Sequence, residues 1–120
     1  MALKNILFVV NDIEKSVGFY KELFGLQVIR DFGNNVILSE GLVLQERQSF
    51  EALIGRETSQ GSNNAVLYFV ESDLEAFAEK LKNSPYEIQY VHELKTYDWG
   101  QRAIRIYDPD QHMIEIGEMK

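Results

Sequence analysis

Glu115, near the C-terminus, lies where its carboxylate could contact a ligand or take part in catalysis. Isoleucines alternate with other residues in Met113–Gly117, so a strand there turns its isoleucines to the core and Glu115 to the opposite face. A glutamate on such a face can bind a metal ion, act as a general base or pair with a cationic ligand. The alternative is an internal ion pair with Arg102 or Arg105, and Arg105 is itself a candidate ligand-binding residue.

Two amide side chains are further candidates for contacting a ligand. Leu42 and Leu44 alternate in a second strand pattern, which places Gln45 on the face opposite to theirs, with Glu46 as the alternative. Asn5 precedes the first apolar run of the chain. These amides could orient a ligand by hydrogen bonds, or they could satisfy each other as a polar pair.

Two aromatic residues could supply flat apolar surface. Tyr68 alternates with Val66 and Val70 and shares their face of a predicted strand, whereas Trp99 precedes a glycine and another strand. An indole ring suits a planar or cationic guest. Edge packing explains Trp99 equally well, so both interpretations stay open.

The other reactive residue types indicate no standard catalytic centre. The chain has no cysteine, which excludes disulfides, thiolate metal sites and a cysteine nucleophile. His92 and His112 are the only histidines, and their separation does not match a metal-binding motif. We expect both at the solvated surface, although His92 lies in a predicted strand near Glu93 and could reach a ligand site, and they do not indicate a Ser-His-Asp triad.

The elements that position these residues repeat along the chain. Val9–Glu14 returns loosely as Val70–Glu75, and Asp12 lies 61 residues before Asp73 (73 − 12 = 61). Each copy ends an apolar run and begins a helical pattern. Self-similarity at half the chain length predicts two small modules that share one core.

The first half predicts a strand, a helix and three further strands. Ile6–Val10 is an apolar run, Asn11 or Asp12 is the expected N-cap of the helix, and Gly25 closes it. Ser16 is expected away from the apolar stripe. The predicted stripe comprises Ile13, Val17, Tyr20 and Phe24, and the predicted strands are 26–30, 36–39 and 42–47.

The second half repeats that order. Ser72 or Asp73 is expected to cap a helix that ends at Asn83, and Asp108–Gln111 is a predicted turn. The predicted strands are 65–70, 86–94, 103–107 and 113–117, and the helix stripe comprises Leu74, Phe77, Ala78 and Leu81. The intervening segment 48–63 is interpreted as a linker or lid, with one helical turn over Phe50–Ile54 capped by Ser49.

These patterns predict an α+β fold of two tandem βαβββ modules, whose mixed sheets form a concave cup. We expect one domain over residues 1–120, with module 1 at about 1–47, a linker or lid at 48–63 and module 2 at about 64–120. Each helix covers one side of its sheet, and the opposite sides line the cup. A cup between modules is a natural ligand site.

Composition narrows the possible partners. The net charge of −7 and the pI of about 4.8 argue against nucleic acid, whose binders need a basic face. The same charge is compatible with a cationic ligand, although solubility alone explains it. The first apolar run is too short for a signal sequence or a membrane span, so we expect a cytoplasmic protein.

Two motifs carry a resemblance to a known family. Trp99–Arg102 and the later Asp108–Ile116 resemble the W-G-x-R and D-P-D-G-x-x-I-E ending of the vicinal oxygen chelate superfamily. Asn11–Tyr20 with Leu23–Leu26 is similar to its D-x-x-x-S-x-x-F-Y and L-G-L signature. That superfamily holds glyoxalase I, bleomycin-resistance proteins, fosfomycin-resistance enzymes and extradiol dioxygenases. The resemblance covers nearly the whole chain, with Gln111 where glycine is usual, a position that prefers a positive φ.

The resemblance implies a set of metal-ligand positions that this chain has mostly lost. Its metal enzymes place ligands on the first and last strands of each module, here at Asn5, Gln45 (or Glu46), Val66 and Glu115, where the 61-residue offset makes Val66 the counterpart of Asn5. Only Glu115 is a strong ligand, and a catalytic ion usually needs three. No metal or other cofactor is therefore expected.

Three functions follow in order of preference. The first is a bleomycin-resistance-like protein, commonly a homodimer, that binds a small hydrophobic or cationic organic molecule without a metal. The second is a glyoxalase-like lyase or a dioxygenase that uses Ni, Zn, Mn or Fe, with Glu115 as the candidate catalytic residue. The third is a non-catalytic interaction domain. No nucleic-acid or membrane partner is expected.

Overall fold

The structure is a computed structural model that describes residues 1–119, and it confirms the predicted fold class. Two βαβββ modules each form a four-stranded mixed sheet. The chain divides into two compact units, the first at Met1–Ser59 and the second from Gln60 onward. Within the described residues, no helix is long and apolar enough to cross a membrane.

The first unit contains two helices and four strands: β1 (Ile6–Val10), α1 (Ile13–Phe24), β2 (Val28–Asp31), β3 (Asn35–Leu38), β4 (Leu42–Glu46) and α2 (Arg47–Ile54). The strand order in its sheet is β1-β4-β3-β2, in which β1 and β4 are parallel and the other pairs are antiparallel. A short 3₁₀ turn at Ser39–Gly41 joins β3 to β4.

Helix α1 begins and ends where the sequence predicts, but its buried face differs. The Asp12 side chain accepts a hydrogen bond from the Lys15 amide, and Gly25 ends the helix in the left-handed conformation at φ 70°. The fully buried residues are Ser16, Phe19, Tyr20 and Leu23. These four follow the i, i+3, i+4, i+7 pattern, so the predicted stripe was rotated by about one residue and the expectation for Ser16 was wrong.

Helix α2 corrects the predicted single turn. It covers eight residues, Arg47–Ile54, and its N-cap is Glu46 instead of Ser49. The Glu46 carboxylate accepts from the Gln48 and Ser49 amides at 2.9 and 3.1 Å. A carboxylate also suits the positive end of the helix dipole, which explains how a glutamate can serve as this cap.

The second unit contains one helix and four strands: β5 (Ser62–Glu71), α3 (Leu74–Lys82), β6 (Gln89–Thr96), β7 (Arg102–Tyr107) and β8 (His112–Glu118). Its sheet has the equivalent strand order β5-β8-β7-β6, with β5 and β8 parallel. Asp73 is confirmed as the N-cap of α3, since its side chain accepts from the Ala76 amide at 3.0 Å, and Asn83 ends the helix. Strand β6 starts three residues later than predicted and runs on to pair Thr96 with Arg102.

The core of the second unit lies between its sheet and α3. Period-two alternation turns the isoleucines of β7 and β8 towards this core, whose buried members are Leu74, Phe77, Leu81, Ile104, Ile106, Ile114 and Ile116. The opposite side of the sheet therefore carries Tyr68, Arg105 and Glu115. We call it the helix-free face of the second sheet.

The turn between β7 and β8 forms as predicted. The Gln111 amide donates to the Asp108 carbonyl at 3.0 Å, and the Asp108 amide donates to the His112 carbonyl at 2.9 Å. Gln111 has φ 71°, which confirms that this position adopts the left-handed conformation without a glycine. Gly61 packs against this turn, and the Ser62 amide donates to the Gln111 carbonyl.

Candidate functional site

A row of four polar side chains crosses the helix-free face of the second sheet. Tyr68 of β5 is the register partner of Glu115 in β8, Glu115 pairs with Arg105 in β7, and Arg105 pairs with His92 in β6. Directly opposed residues point to the same side of a sheet. The strand register therefore gathers residues that are distant in sequence.

Glu115 and Arg105 form an ion pair within this row. The Arg105 Nε and Nη2 atoms lie 2.9 and 2.8 Å from Glu115 Oε1, and the Gln101 side-chain amide approaches Oε2 at 3.5 Å. Only 14% of the Glu115 side chain is exposed. The Glu115 carboxylate is thus paired with Arg105 inside the protein, which was one of the two interpretations that the sequence left open.

Arg102, the other candidate partner of Glu115, lies elsewhere. Its guanidinium pairs with Glu118 and with Glu75, at 2.5 Å from Glu75 Oε1. These carboxylates raise the pKa of the Arg102 guanidinium, through hydrogen bonds to Glu118 first and Glu75 second. The Arg102 hydrogen bond in turn lowers the pKa of the Glu75 carboxyl. This cluster ties α3 to strands β7 and β8.

His92 belongs to the row and is only partly exposed, so of the two locations that the sequence left open it takes the one on the helix-free face. Its Nδ1 atom lies 2.8 Å from the Glu93 carbonyl oxygen, which can only accept, so Nδ1 carries the proton. The Nε2 atom then accepts, at 3.0 Å each, from the Tyr97 hydroxyl and from Arg105 Nη1. These three contacts therefore fix the orientation of the His92 ring.

Tyr97 is a central member of the site that the sequence did not reveal. Besides its bond to His92, its hydroxyl oxygen accepts from Arg105 Nη1. The Tyr97 ring also stacks on Trp99, with centroids 4.6 Å apart and planes 15° from parallel. The one available signal was that Tyr97 shortly precedes Trp99 in the turn between two predicted strands.

Trp99 lies at the surface, with 71% of its area exposed. Its indole nitrogen donates to the Gln101 side-chain oxygen at 3.0 Å, which fixes the ring orientation together with the Tyr97 stack. Two cations approach the supporting Tyr97 ring, with Lys95 Nζ and Arg105 Cζ at 4.9 and 5.4 Å from its centroid. The result is an exposed indole on a rigid aromatic and cationic support.

Tyr68 owes its position to a glycine on the neighbouring strand. A Cβ atom added to Gly117 would lie 2.9 Å from the Tyr68 Cζ atom and still closer to its hydroxyl. The missing side chain leaves room for the Tyr68 ring, which remains 55% exposed. Val66 and Val70 on the same strand are also about half exposed, so β5 presents apolar surface.

The candidate residues of the first unit are arranged differently. Gln45 is buried, its side-chain oxygen accepts from Asn35 at 2.6 Å, and its amide nitrogen donates to the Ser49 hydroxyl at 2.9 Å. Gln45 thus joins β3, β4 and α2, and its hydrogen bonds go to Asn35 and Ser49 and not to Asn5, the alternative that the sequence left open. Asn5 is exposed and lies one residue before β1.

The strand registers also show which residue in the first unit corresponds to Glu115. Glu115 pairs with Tyr68, whose counterpart by the 61-residue offset is Leu7 (68 − 61 = 7), and Leu7 pairs with Val43. Val43 is therefore the counterpart of Glu115. By the same reasoning, Gln45, which pairs with Val9, corresponds to Gly117.

The donor set does not fit the divalent metal that the resemblance implies. Val43 and Val66 offer no donor atom, both ends of the Gln45 side-chain amide already make hydrogen bonds, and Glu115 is paired with Arg105. Within residues 1–119, no three His, Asp or Glu side chains are grouped so as to hold a metal ion. A catalytic divalent ion takes about three protein ligands, which these residues do not supply.

His112 has a structural role, which corrects its expected exposure. Its Nδ1 atom lies 2.8 Å from Asp108 Oδ2, and only 12% of its side chain is exposed. The other Asp108 oxygen accepts from the Asp110 and His112 amides at 2.8 and 2.9 Å. Asp108 therefore organises the β7–β8 turn.

Comparison with known proteins agrees with this architecture. The sequence matches the glyoxalase-like domain over residues 3–120. A solved structure of a protein of unknown function from Agrobacterium tumefaciens is 36% identical, with a TM-score of 0.85 over 100% of this chain and 95% of that one. A glyoxalase-related enzyme from Fulvimarina pelagi is 21% identical, with a TM-score of 0.82 over 98% and 88%.

A relative in Bacillus subtilis, the uncharacterised protein YraH, is 28% identical over 99% of both chains. The match to the family extends over almost every residue. The chain therefore belongs to the glyoxalase-like family, within the vicinal oxygen chelate superfamily, as its terminal motifs had indicated.

Proposed function

We propose that this protein binds a small organic molecule with a flat apolar surface on the helix-free face of the second sheet, without a catalytic metal. The observation that carries the proposal is the exposed Trp99 ring, which is stacked on Tyr97 beside the Arg105–Glu115 pair. A fold shared by many activities cannot identify a function, so the proposal rests on this site.

The support beneath Trp99 favours binding. An exposed aromatic side chain usually loses rotational freedom when a ligand stacks on it, and this cost reduces affinity. Here the Tyr97 stack and the bond to Gln101 already restrict the indole. Tyr97 is in turn held by His92 and Arg105. A planar ligand would meet a preorganised surface.

Charge distribution favours an uncharged or anionic ligand over the cationic one. Glu115 is the carboxylate of the row, and its Oε1 atom already receives two nitrogens of Arg105. A cationic ligand would have to compete with that intramolecular pair and leave Arg105 without its partner. Removing one member of a partly buried pair is costly because the other charge stays uncompensated.

The test uses the neutral probe 1-naphthalenemethanol and isothermal titration calorimetry on protein treated with EDTA. We expect saturable binding at one site that weakens at least fivefold in Trp99→Leu. Phe32→Leu is the matched control, since Phe32 is an exposed aromatic residue (57%) of the first unit. Equal losses in both variants would indicate nonspecific adsorption and contradict the proposal.

A second candidate is a protein-interaction role, favoured by the half-exposed Val66, Tyr68 and Val70 on β5. Such a row can bind another polypeptide, including a second copy of this chain, as the expected homodimer would require. Sedimentation velocity on the wild type and Tyr68→Ser tests this role. A dimer that dissociates on the substitution supports it, and a monomer in both samples contradicts it for self-association.

A further inference from the structure

We propose that the ligand carries an anionic group, such as a carboxylate, that is directed at Lys95 beside the Tyr97–Trp99 stack. This inference rests on the proposed function and specifies the ligand class of the same site. It replaces the hydrophobic or cationic guest that the sequence suggested with an aromatic acid.

The charged groups around the Tyr97–Trp99 stack favour an anion at Lys95. Arg105 and Glu115 neutralise each other across 2.8 Å. Lys95 Nζ lies 4.9 Å from the Tyr97 centroid, and no ion pair found among the described residues involves Lys95. Lys95 therefore places an ammonium group beside the stack, although the exposed Asp98 of the following turn offsets it in the local charge sum and the whole protein carries −7.

Two carboxylates lie near Lys95 in sequence, those of Glu93 and Asp98. Glu93, two residues earlier, lines a groove of about 270 Å³ with Ala78 and Glu79 of α3, on the other side of the sheet. Asp98 lies in the turn between Tyr97 and Trp99 and is exposed. Asp98 is therefore the carboxylate that can weaken the attraction of an anion, and its removal is a second test.

A ligand at this site would contact an aromatic surface with a cation near it. The exposed indole offers a stacking surface, and the ammonium group of Lys95 approaches the ring on which that indole rests. A planar molecule stacked on Trp99 would bring a substituent near Lys95, whose long side chain can follow it. The aromatic ring of the ligand would thus be recognised by Trp99, and its acidic substituent by Lys95.

The experiment compares three probes with the same ring system: 1-naphthoate, 1-naphthalenemethanol and 1-naphthylmethylammonium. Trp99 is the only tryptophan, so its fluorescence reports binding at the site. We expect naphthoate to bind about two- to fivefold more tightly than the neutral probe, as for a single exposed charge pair. The preference should shrink in 1 M salt, where the screening length falls to about 3 Å.

Substitutions assign the preference to Lys95. Lys95→Gln is expected to abolish the advantage of naphthoate and to leave the affinity for the neutral probe within twofold. Lys15→Gln is the matched control, because Lys15 is an exposed lysine on α1 of the first unit. Asp98→Asn is expected to strengthen naphthoate binding about twofold by removing a like charge.

The outcomes separate the two proposals. Tightest binding of the ammonium probe, or a naphthoate preference that survives Lys95→Gln, would overturn the anionic ligand class while the aromatic site stands. Failure of all three probes to change Trp99 fluorescence or to release heat would overturn the proposed function itself. Loss of the preference in Lys15→Gln as well would show a general charge effect and overturn the role of Lys95.

Discussion

Arg105 is the residue on which the candidate site depends most. It pairs with Glu115 and also donates to His92 and Tyr97, so one guanidinium orients the carboxylate, the imidazole and the phenol. Arginine suits this task because its planar group offers five donors in a fixed geometry. A lysine at the same position could supply the charge but not this set of directions.

We predict that Arg105→Ala lowers the free energy of unfolding by about 1–3 kcal/mol, because Glu115 is left with an uncompensated, mostly buried charge. Urea denaturation at neutral pH measures the change. Arg56→Ala, at an exposed arginine after α2, serves as the control and should change stability by less than about 0.5 kcal/mol. Equal effects of the two substitutions would contradict the assigned role.

Asp108 is the residue that holds the β7–β8 turn together. Its carboxylate is buried and accepts from two amides and from the His112 ring. We predict that Asp108→Ala costs about 2–4 kcal/mol, the sum of a few buried bonds to a charged acceptor. Asp31→Ala, which removes one exposed turn bond to the Gly33 amide, should cost at most about 1 kcal/mol. Thermal unfolding of both variants compares the two, and similar losses would contradict the prediction.

At the scale of elements, strand register assembles the site, and the sequence indicates only part of it. Local signals identified Asp12 and Asp73 as caps, and period-two alternation placed Glu115 opposite the core. The β6–β7 pairing shifts register between Tyr90 and His92 and again before Lys95. No local pattern encodes such shifts, so the joining of His92 to Arg105 could not be predicted.

In the first unit, too, strand register decides a residue's position that the sequence pattern alone does not give. The 61-residue repeat correctly relates the first strands, but the counterpart of Glu115 depends on how the first and last strands pair. The observed register selects Val43 and leaves Gln45 a structural role. Helix α2 was underestimated because its cap is Glu46, a residue type that is not among the preferred N-caps.

The junction between β5 and the β7–β8 turn is a tight backbone contact. A Cβ atom on Gly61 would lie 2.6 Å from the Gln111 carbonyl oxygen and 2.9 Å from that of Asp110, at φ 68°. We predict that Gly61→Ala costs more than Gly33→Ala, whose φ of 88° is strained but whose surroundings are open. The conformational part alone is about 1–2 kcal/mol. Denaturant midpoints of the two variants measure the difference, and equal midpoints would disprove the contact.

The link from α3 to the sheet makes stability depend on acid pH. The Arg102 hydrogen bond holds the pKa of the Glu75 carboxyl below its ordinary 4.5, so Glu75 binds its proton less readily in the folded state. Its contribution is present above about pH 4.5 and is lost as the pH falls through the lower, folded-state pKa. In Glu75→Gln we therefore expect a shallower loss of stability below pH 4.5. Urea titrations from pH 6 to 3 that give parallel curves would contradict this assignment.

At the scale of the whole molecule, the chain has the fold of its family but different residue types at the metal-ligand positions. The motifs at both ends serve the backbone, with Asp12 capping α1 and Asp108 organising a turn. The metal-ligand positions instead hold valine, amides and a glutamate that is already paired. Family membership therefore predicts the architecture well, and the activity has to be argued from the site.

Ligand binding by the metal-free protein is the property that distinguishes the proposed function from that of a metal enzyme. The decisive measurement is a calorimetric titration of 1-naphthoate into the EDTA-treated protein, repeated after loading with Zn, Mn, Ni or Fe. We predict the same saturable binding in every sample, with at least a fivefold loss in Trp99→Leu. Binding that requires added metal and disappears in Glu115→Ala would contradict the account and indicate a metal enzyme.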